Sequence, residues 1–280
     1  MPIDMNSPMA NRVLLRVRAL SKNYWTRRGR FKRRAPLAAA SNVTFEIESG
    51  KTLAIVGSSG SGKSTVARCV ARLEKPDSGE IWIDDREIAR TKGKDLIPLR
   101  RQVQLVFQDP STSMNARFSV AKAIEEPLLL QEHDSREERR TRVAELMREV
   151  ALRPEWMERR VTEFSGGQRQ RIAIARALAL RPKLLILDEA FSGLDLSTQA
   201  QIANLLLELQ ASHSLTYILI SHDLTLVSRM ADTIAVMSEG QIVEEGRAEE
   251  VVTNPVHPKT RLLVAAALGF GRENAAQQSS

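Results

Sequence analysis

The chain has 280 residues, of which 42% are hydrophobic and 27% are charged, as in ordinary globular proteins. No apolar run reaches the roughly 18 residues that a membrane-spanning helix needs, and the first residues lack the pattern of a secretory signal. The single cysteine, Cys69, excludes an internal disulfide and a cysteine-built metal cluster. These features predict a cytosolic protein.

The net charge of +7 is concentrated near the N-terminus. No acidic residue lies between Met5 and Phe45, where the basic residues are Arg12, Arg16, Arg18, Lys22, Arg27, Arg28, Arg30, Lys32, Arg33 and Arg34. Such a block is typical of a site for anionic lipid headgroups or of a solvated loop. Nucleic acid is the weaker interpretation, because aromatic residues, which stack on bases, make up only 4% of the chain.

Short apolar runs alternate with helical patterns along the chain. Residues 52–56 (TLAIV) predict a strand, and apolar residues at helical spacing predict a helix at 63–73. Further strands are predicted at 79–85 (an edge strand), 103–108, 183–190 and 216–223.

Between the second and third of these later strands, residues of about 109–178 are mostly helical in pattern. Repeated strand–helix units predict an α/β fold with a mainly parallel sheet and helices on both faces. We therefore expect one domain at 1–268 with a helical insertion at about 109–178, followed by a disordered tail at 269–280.

A phosphate-binding loop follows the first predicted strand. Residues 57–65 (GSSGSGKST) match G-x-x-x-x-G-K-[ST] between a strand and a helix. Glycines there let backbone N–H groups face one anion, where we expect any Cβ to obstruct the approach. Lys63 is placed to reach the β- and γ-phosphates, and the Ser64 hydroxyl to ligate Mg²⁺. The predicted nucleotide-binding residues are Gly57, Ser58, Ser59, Gly60, Ser61, Gly62, Lys63, Ser64 and Thr65.

Two acids and a histidine end the later strands. Asp188 is suited to hold Mg²⁺, and Glu189 to orient and deprotonate an attacking water. Glu189 could instead only stabilise a helix N-terminus. His222 is predicted to contact the γ-phosphate, against the alternative of a structural histidine.

A second glycine pair opens the helix predicted from "FSGGQRQRIAIARAL", residues 164–178. Glycine costs about 1 kcal/mol against alanine inside a helix. Gly166 and Gly167 therefore predict that a ligand approaches this helix N-terminus. The other interpretation is a glycine-rich turn between subdomains.

The chain resembles the ATPase subunit of ATP-binding cassette (ABC) transporters over residues of roughly 13–268. The resemblance is carried by six motifs in a fixed order: the phosphate loop, "VFQDP", "FSGGQ", "LLILDEA", "SGLD" and "ISHD". The basic insertion "WTRRGRFKRRAPL" and the later "QDPSTSMNARFSV" and "NPVHPKTRLLVAA" are similar to the oligopeptide/dipeptide/nickel importer group. Within that group the sequence is most similar to the second ATPase subunit type, which includes antimicrobial-peptide-resistance systems.

The resemblance implies a P-loop NTPase (RecA-like) core with an antiparallel β subdomain and an inserted helical subdomain. It implies that two cassettes pair head to tail, so that Ser165, Gly166, Gly167 and Gln168 bind ATP held by a partner chain. It also assigns Gln108 to Mg²⁺ and to sensing the membrane partner, and Asp195 to linking the two ATP sites. Tyr24 is the implied adenine-stacking residue, with Trp25 as its rival. Phe164 replaces the usual leucine of the motif, and we expect that replacement to be tolerated.

The expected function is that of an ATPase subunit, peripheral on the cytoplasmic face of the inner membrane, that powers an importer for peptides or a related small solute. The resemblance implies ATP and Mg²⁺ as cofactors, and catalysis by Glu189, His222, Lys63 and Gln108. Expected partners are a second ATPase subunit, identical or homologous, two permease subunits that dock near 111–119 and, indirectly, a solute-binding protein, with no nucleic acid. The alternatives are a soluble cassette ATPase acting on nucleic acid, an exporter ATPase and a regulatory nucleotide sensor.

Overall fold

A computed structural model describes residues 12–26, 35–110, 114–131 and 135–277. The basic segment at 27–34 and the first part of the predicted docking region, 111–113, lie outside the described residues. The strands are β1 Val13–Thr26, β2 Ala35–Glu48, β3 Thr52–Val56, β4 Ser78–Ile83, β5 Arg86–Glu87, β6 Val103–Val106, β7 Leu184–Asp188, β8 Thr216–Ile220, β9 Thr233–Ser238 and β10 Gln241–Arg247.

The larger sheet has six strands in the order β10-β9-β3-β8-β7-β6. All neighbours pair in parallel except β9 and β10, which are antiparallel. The strands β3, β7 and β8 are buried along their whole length, as expected of parallel strands covered on both faces. The predicted mainly parallel sheet is confirmed.

The smaller sheet is antiparallel, with the order β2-β1-β4-β5. It confirms the antiparallel subdomain that the resemblance implied. The prediction of an edge strand at 79–85 was wrong, because β4 lies between β1 and the two-residue strand β5. The short strand β5, which follows β4 after residues 84–85, pairs with it and takes the edge position instead.

The helices are α1 Lys63–Val70, α2 Leu96–Gln102, α3 Val120–Gln131, α4 Arg136–Glu149, α5 Gly166–Leu178, α6 Leu196–His213, α7 Leu224–Met230, α8 Ala248–Thr253 and α9 Pro258–Gln277. The helical segment that contains α3, α4 and α5 separates the neighbouring strands β6 and β7, as an insertion into the sheet does. Among the described residues, no helix is long and apolar enough to cross a membrane.

Two apolar cores lie on opposite faces of the larger sheet. Along β3, Ala54 and Val56 join the core beneath α3 to α7, whereas Leu53 and Ile55 join the core that includes α1 and the smaller sheet. This alternation is the two-residue period of a strand. The sheet is therefore held between two layers, which leaves its strand ends as the place for a site.

The C-terminal residues differ from the sequence prediction. A disordered tail was predicted from residue 269, whereas α9 continues to Gln277. The physical reason is compositional: residues 272–277 (RENAAQ) hold good helix formers and no proline, so they extend a helix that has already begun.

Candidate functional site

The carboxyl ends of the parallel strands meet at one edge of the larger sheet. The phosphate loop follows β3, Glu189 directly follows β7, and His222 lies two residues after β8. Gln108 lies two residues after β6. Ligands of open α/β sheets bind at this edge, so the topology brings together residues that are far apart in the sequence.

An open cavity of about 770 Å³ lies there. Among the described residues, those that line it and that the sequence predicted are Tyr24, Gly57, Ser58, Ser59, Gly60, Gly62, Lys63, Ser64, Thr65, Gln108, Glu189 and His222. The cavity is large enough for a nucleotide-sized ligand. The structure therefore places most of the predicted nucleotide-binding residues around one space.

Two glycines of the phosphate loop, Gly57 and Gly62, are also required by the packing of the loop itself. A Cβ on Gly57 would lie 2.2 Å from the backbone oxygen of Met237, and one on Gly62 would lie 1.9 Å from that of Ala39. Both glycines also have positive φ values, +148° and +106°. The loop is thus packed against β9 and β2, and side chains at these two positions would meet the protein's own backbone before they met a ligand.

Lys63 lies beneath the loop. Its Nζ donates to the carbonyl oxygens of Gly57 and Ser58, each at 2.9 Å. Burial lowers the pKa of this ammonium group, and the carboxylates of Glu189 and Asp188 oppose the shift. An ammonium group has three donors, so the third can reach a phosphate while the other two support the loop.

Ser64 and Asp188 form the predicted metal-binding pair. The Ser64 Oγ donates to Asp188 Oδ1 at 2.8 Å. Asp188 is 6% exposed, and burial raises its pKa, with the hydrogen bond from Ser64 as the main opposing effect. A hydroxyl and a buried carboxylate are oxygen ligands of the kind that Mg²⁺ prefers, and a cation would compensate the buried charge. The donor set therefore fits the ion.

Glu189 and His222 are in direct contact. The His222 Nδ1 lies 3.0 Å from Glu189 Oε2. Glu189 has a positive φ of 51°, an uncommon conformation for a residue other than glycine, and its N–H donates to Ile220 at 3.0 Å. The strand ends thus hold the carboxylate at a fixed place in the cavity, where it can accept a proton.

Gln108 faces this pair from the end of β6. Its Nε2 donates to Ser192 Oγ at 3.3 Å, and both residues line the cavity. Ser192 belongs to the segment of "SGLD" that follows Glu189. This contact connects two segments: the one that leads from β6 into the helical insertion, and the loop that begins with Glu189.

The structure separates Tyr24 from Trp25. Tyr24 lines the cavity, whereas Trp25 is 65% exposed and lies outside it, because successive side chains of a strand point to opposite faces. The Tyr24 hydroxyl donates to the Glu74 carboxylate. Burial, followed by this hydrogen bond, raises the pKa of Tyr24. Of the two rival aromatics, Tyr24 is therefore the one placed to meet a base.

The residues of the second glycine motif lie outside this cavity. Ser165 is the N-cap of α5: its Oγ accepts from the Gln168 N–H at 3.3 Å, and its own N–H donates to Gln168 Oε1 at 3.0 Å. Ser165 and Gly166 are exposed. The N-terminus of α5 is therefore exposed, and the backbone N–H groups of a helix N-terminus are suited to bind an anion.

Asp195 is the N-cap of the neighbouring helix α6. Its carboxylate accepts from the Thr198 N–H at 2.9 Å and from Thr198 Oγ1 at 2.7 Å. The same threonine packs against the start of α5, because a Cβ on Gly167 would lie 2.4 Å from Thr198 Cγ2. Asp195 and the glycine motif are thus coupled through Thr198. Ser61, the remaining predicted residue, is buried outside the cavity lining.

The sequence prediction missed four lining residues: Leu37, Ala39, Ser192 and Leu263. Leu37 is the cross-strand partner of Tyr24, so the pairing of β1 with β2 would have found it. Ser192 and Leu263 lie in motifs that the sequence singled out without assigning these residues a role.

Comparisons with known proteins agree with this site. Residues 40–192 match the ABC transporter family. The chain is 47% identical over 253 residues to the di/tripeptide transport ATP-binding protein DppF of Pseudomonas aeruginosa, covering 90% of this chain and 78% of that protein. It is 45% identical over 265 residues to the glutathione import ATP-binding protein GsiA of Salmonella typhi, covering 94% of this chain and 42% of that protein.

Solved structures show the same fold. The dimeric structure of a post-hydrolysis state of the ATP-binding cassette MJ0796 bound to ADP and Pi has a TM-score of 0.75 at 28% identity, covering 84% of this chain and 99% of that one. CbiO1 from Clostridium perfringens, part of the ABC transporter complex CbiONQ, has a TM-score of 0.76 at 30% identity, covering 86% and 91%.

The fold and the site define a P-loop ATPase of the cassette type. The chain belongs to the ABC transporter family, and it is one of that family's ATP-binding ATPases.

Proposed function

We propose that this chain powers an importer for peptides or a related small solute, as a peripheral subunit on the cytoplasmic face of the inner membrane. The observation that carries the proposal is the cavity that holds the phosphate loop, Glu189 and His222 together. The transport role is supported by the similarity to DppF and GsiA, whose names describe import of di- and tripeptides and of glutathione.

A groove of about 300 Å³ beside the cavity supports a permease partner. It lies between the sheet and the helical insertion and is lined by Leu73, Phe107, Pro127 and Leu130 among others. Leu73 is 51% exposed and Leu130 is 77% exposed. Because Phe107 directly precedes Gln108, a cytoplasmic helix of a permease seated there would move the residue that contacts Ser192. We propose this groove, with the adjoining 114–119, as the permease contact.

Pairing with a second cassette is the other part of the proposal. Each chain contributes a phosphate-loop cavity and a separate, exposed Ser165 helix N-terminus. Head-to-tail pairing brings the helix N-terminus of one chain over the nucleotide of the other, so that Gly166 and Gly167 donate to the γ-phosphate. The dimeric MJ0796 cassette supports this arrangement. The partner cassette is a second copy or a homologous chain.

The chain's own residues then account for hydrolysis. Lys63 and the loop N–H groups hold the phosphates, and Tyr24 stacks on adenine. Glu189 accepts the proton of the attacking water through Oε1, while Oε2 stays in contact with His222. His222 and Lys63 stabilise charge on the transferring phosphoryl group. Ser64, Asp188 and Gln108 are the residues that would hold Mg²⁺, which when bound would neutralise charge on the phosphate oxygens.

The experiment is reconstitution in vesicles of the chain with its proposed permease subunits and solute-binding protein. We expect a small peptide to accumulate inside right-side-out vesicles only when ATP is enclosed, and binding protein loaded with peptide to stimulate hydrolysis. Lys63→Ala is the control, and it should abolish both by weakening nucleotide binding. Efflux of the peptide would support an exporter, and hydrolysis stimulated by DNA or ribosomes with no permease would support the soluble alternative.

A further inference from the structure

The motif "NPVHPKTRLL" near the C-terminus has no part in the mechanism above, yet the structure fixes it firmly. Glu244 of β10 accepts hydrogen bonds from the N–H groups of Val256 at 2.9 Å and His257 at 2.8 Å. The Lys259 N–H donates to His257 Nδ1 at 3.2 Å. Glu244 therefore anchors the turn that precedes α9 to the sheet and sets where that helix begins.

The first turns of α9 bury one face. Thr260 is 1% exposed, Val264 is 7% exposed, and Leu263 and Ala267 pack against the larger core. These residues recur at i, i+3, i+4 and i+7, the spacing of one helix face. The face packs against α7, whose N-cap, Asp223, directly follows His222. The helix thus packs against the element that follows His222 in the chain.

Leu263 enters that cavity. It lines the same space as Tyr24, Ala39 and His222. Its neighbour Leu262 is 68% exposed and lies outside the cavity lining. The two leucines share their chemistry and their helix, and they differ in whether they face the nucleotide.

We propose that Leu263 is a nucleotide-contacting residue, and that Glu244 is a positioning residue that acts on it through α9. The inference rests on the proposed binding of ATP in this cavity. The leucine side chain covers apolar surface of the bound nucleotide and excludes water from the part of the cavity that it lines. The motif at the start of α9 thereby belongs to the nucleotide site.

The test is titration of the purified full chain with a fluorescent ATP analogue and Mg²⁺. Leu263→Ala should raise the Kd by about 3- to 10-fold, because it removes most of an apolar side chain from the contact. Leu262→Ala is the matched control and should leave the Kd within about twofold. Leu263→Gln keeps nearly the same volume in the half-buried position, so it should fold like the parent and still raise the Kd.

Glu244 is tested by a double-mutant cycle. Glu244→Ala should raise the Kd, and adding Leu263→Ala should change it little further, since the leucine is already displaced. A residue that only supports stability would lower the Tm without this non-additive effect on the Kd.

Two negative outcomes separate the claims. If the parent chain binds the analogue and the two leucine variants have equal Kd values, the assignment of Leu263 is wrong while the proposed function stands. If the parent chain binds no ATP analogue, the proposed function fails and this inference fails with it.

Discussion

The two glycine-containing helix starts of this chain, at α1 and α5, differ in their surroundings. At α1, Gly62 has a left-handed conformation, no described side chain caps the helix, and the first residues line the open cavity. At α5, Ser165 and Gln168 cap each other, Gly166 is exposed, and Gly167 is half-buried against Thr198. One helix start lies inside a nearly complete site, and the other has the chemistry of an anion site with no enclosing walls.

This difference indicates why one chain holds two incomplete parts. The cavity at α1 is lined by Glu189, Lys63 and Ser64, but it is open to solvent. The start of α5 has exposed residues at a helix N-terminus, and none of them lines that cavity. In the proposed pairing of two chains, each part would supply what the other lacks.

The largest expected effect concerns hydrolysis by the residues that line the cavity at α1, which we call the cavity half. Glu189→Gln keeps the shape of the side chain and removes the base, so hydrolysis should fall on the order of 10²–10³-fold while the Kd for ATP stays close to that of the parent. Phosphate release and analogue titration measure the two quantities, and closed dimers should accumulate in sedimentation. Parent-like turnover by this variant would remove Glu189 from the role of base.

A smaller effect, on the free energy of unfolding, should follow from a substitution of Gly167 at the start of α5. Gly167→Ala places a Cβ against Thr198 Cγ2, and overpacking of this kind costs roughly 1–3 kcal/mol of unfolding free energy. Thr198→Ser removes that methyl group and keeps the hydroxyl that Asp195 accepts from, so the double variant should recover most of the loss. Urea denaturation measures both.

Gly166→Ala is the control for this pair, because its Cβ would meet only Leu194 Cδ2, at 3.4 Å. It should unfold at nearly the same urea concentration as the parent. A Gly167→Ala loss that Thr198→Ser does not relieve would show that another contact fixes the start of α5.

The smallest effect is expected at Phe164. The ring is 4% exposed, packs edge-to-face on Trp156 at 5.7 Å and lies 5.0 Å from the Arg159 guanidinium. Phe164→Leu restores the residue usual in the motif but loses these ring contacts, at a cost of about 1–2 kcal/mol. The Kd for ATP should not change, since the cavity half is untouched. If Phe164→Leu changed the Kd for ATP and left the Tm unchanged, the start of α5 and the cavity at α1 would not be separate parts of one chain.

Much of the cavity half could be predicted from the sequence. The phosphate loop, Asp188 and Glu189 lie at the ends of strands whose apolar runs are evident, and parallel strands bring those ends to one edge. The local pattern identified the loop glycines, but it does not show the further constraint that Met237 and Ala39 pack against Gly57 and Gly62.

The rest depends on tertiary contacts that local patterns do not carry. Leu37 comes to the cavity through pairing of β1 with β2, and Leu263 through packing of α9 on α7. Two other misses were local: β4 lies inside its sheet because the short strand β5, only two residues further along the chain, pairs with it, and α9 continues to Gln277 through residues that favour helix. At the start of α5, the glycine pair predicted that a ligand approaches, and only the resemblance implied that this ligand is held by another chain.

The central claim is that the Ser165 helix N-terminus of a second cassette completes the site. Ser165→Asp and Ser165→Asn are nearly isosteric and both cap helices well, so they should fold alike and bind ATP alike in the cavity half. Only aspartate adds a charge that repels the γ-phosphate of a partner chain. The decisive measurement is the ATPase rate per chain, against chain concentration, for the parent and both variants, with the partner cassette present if it is a different chain. The account predicts a parent rate that rises with concentration, partial activity for asparagine and almost none for aspartate. A parent rate that is independent of concentration, with the aspartate variant fully active, would contradict it.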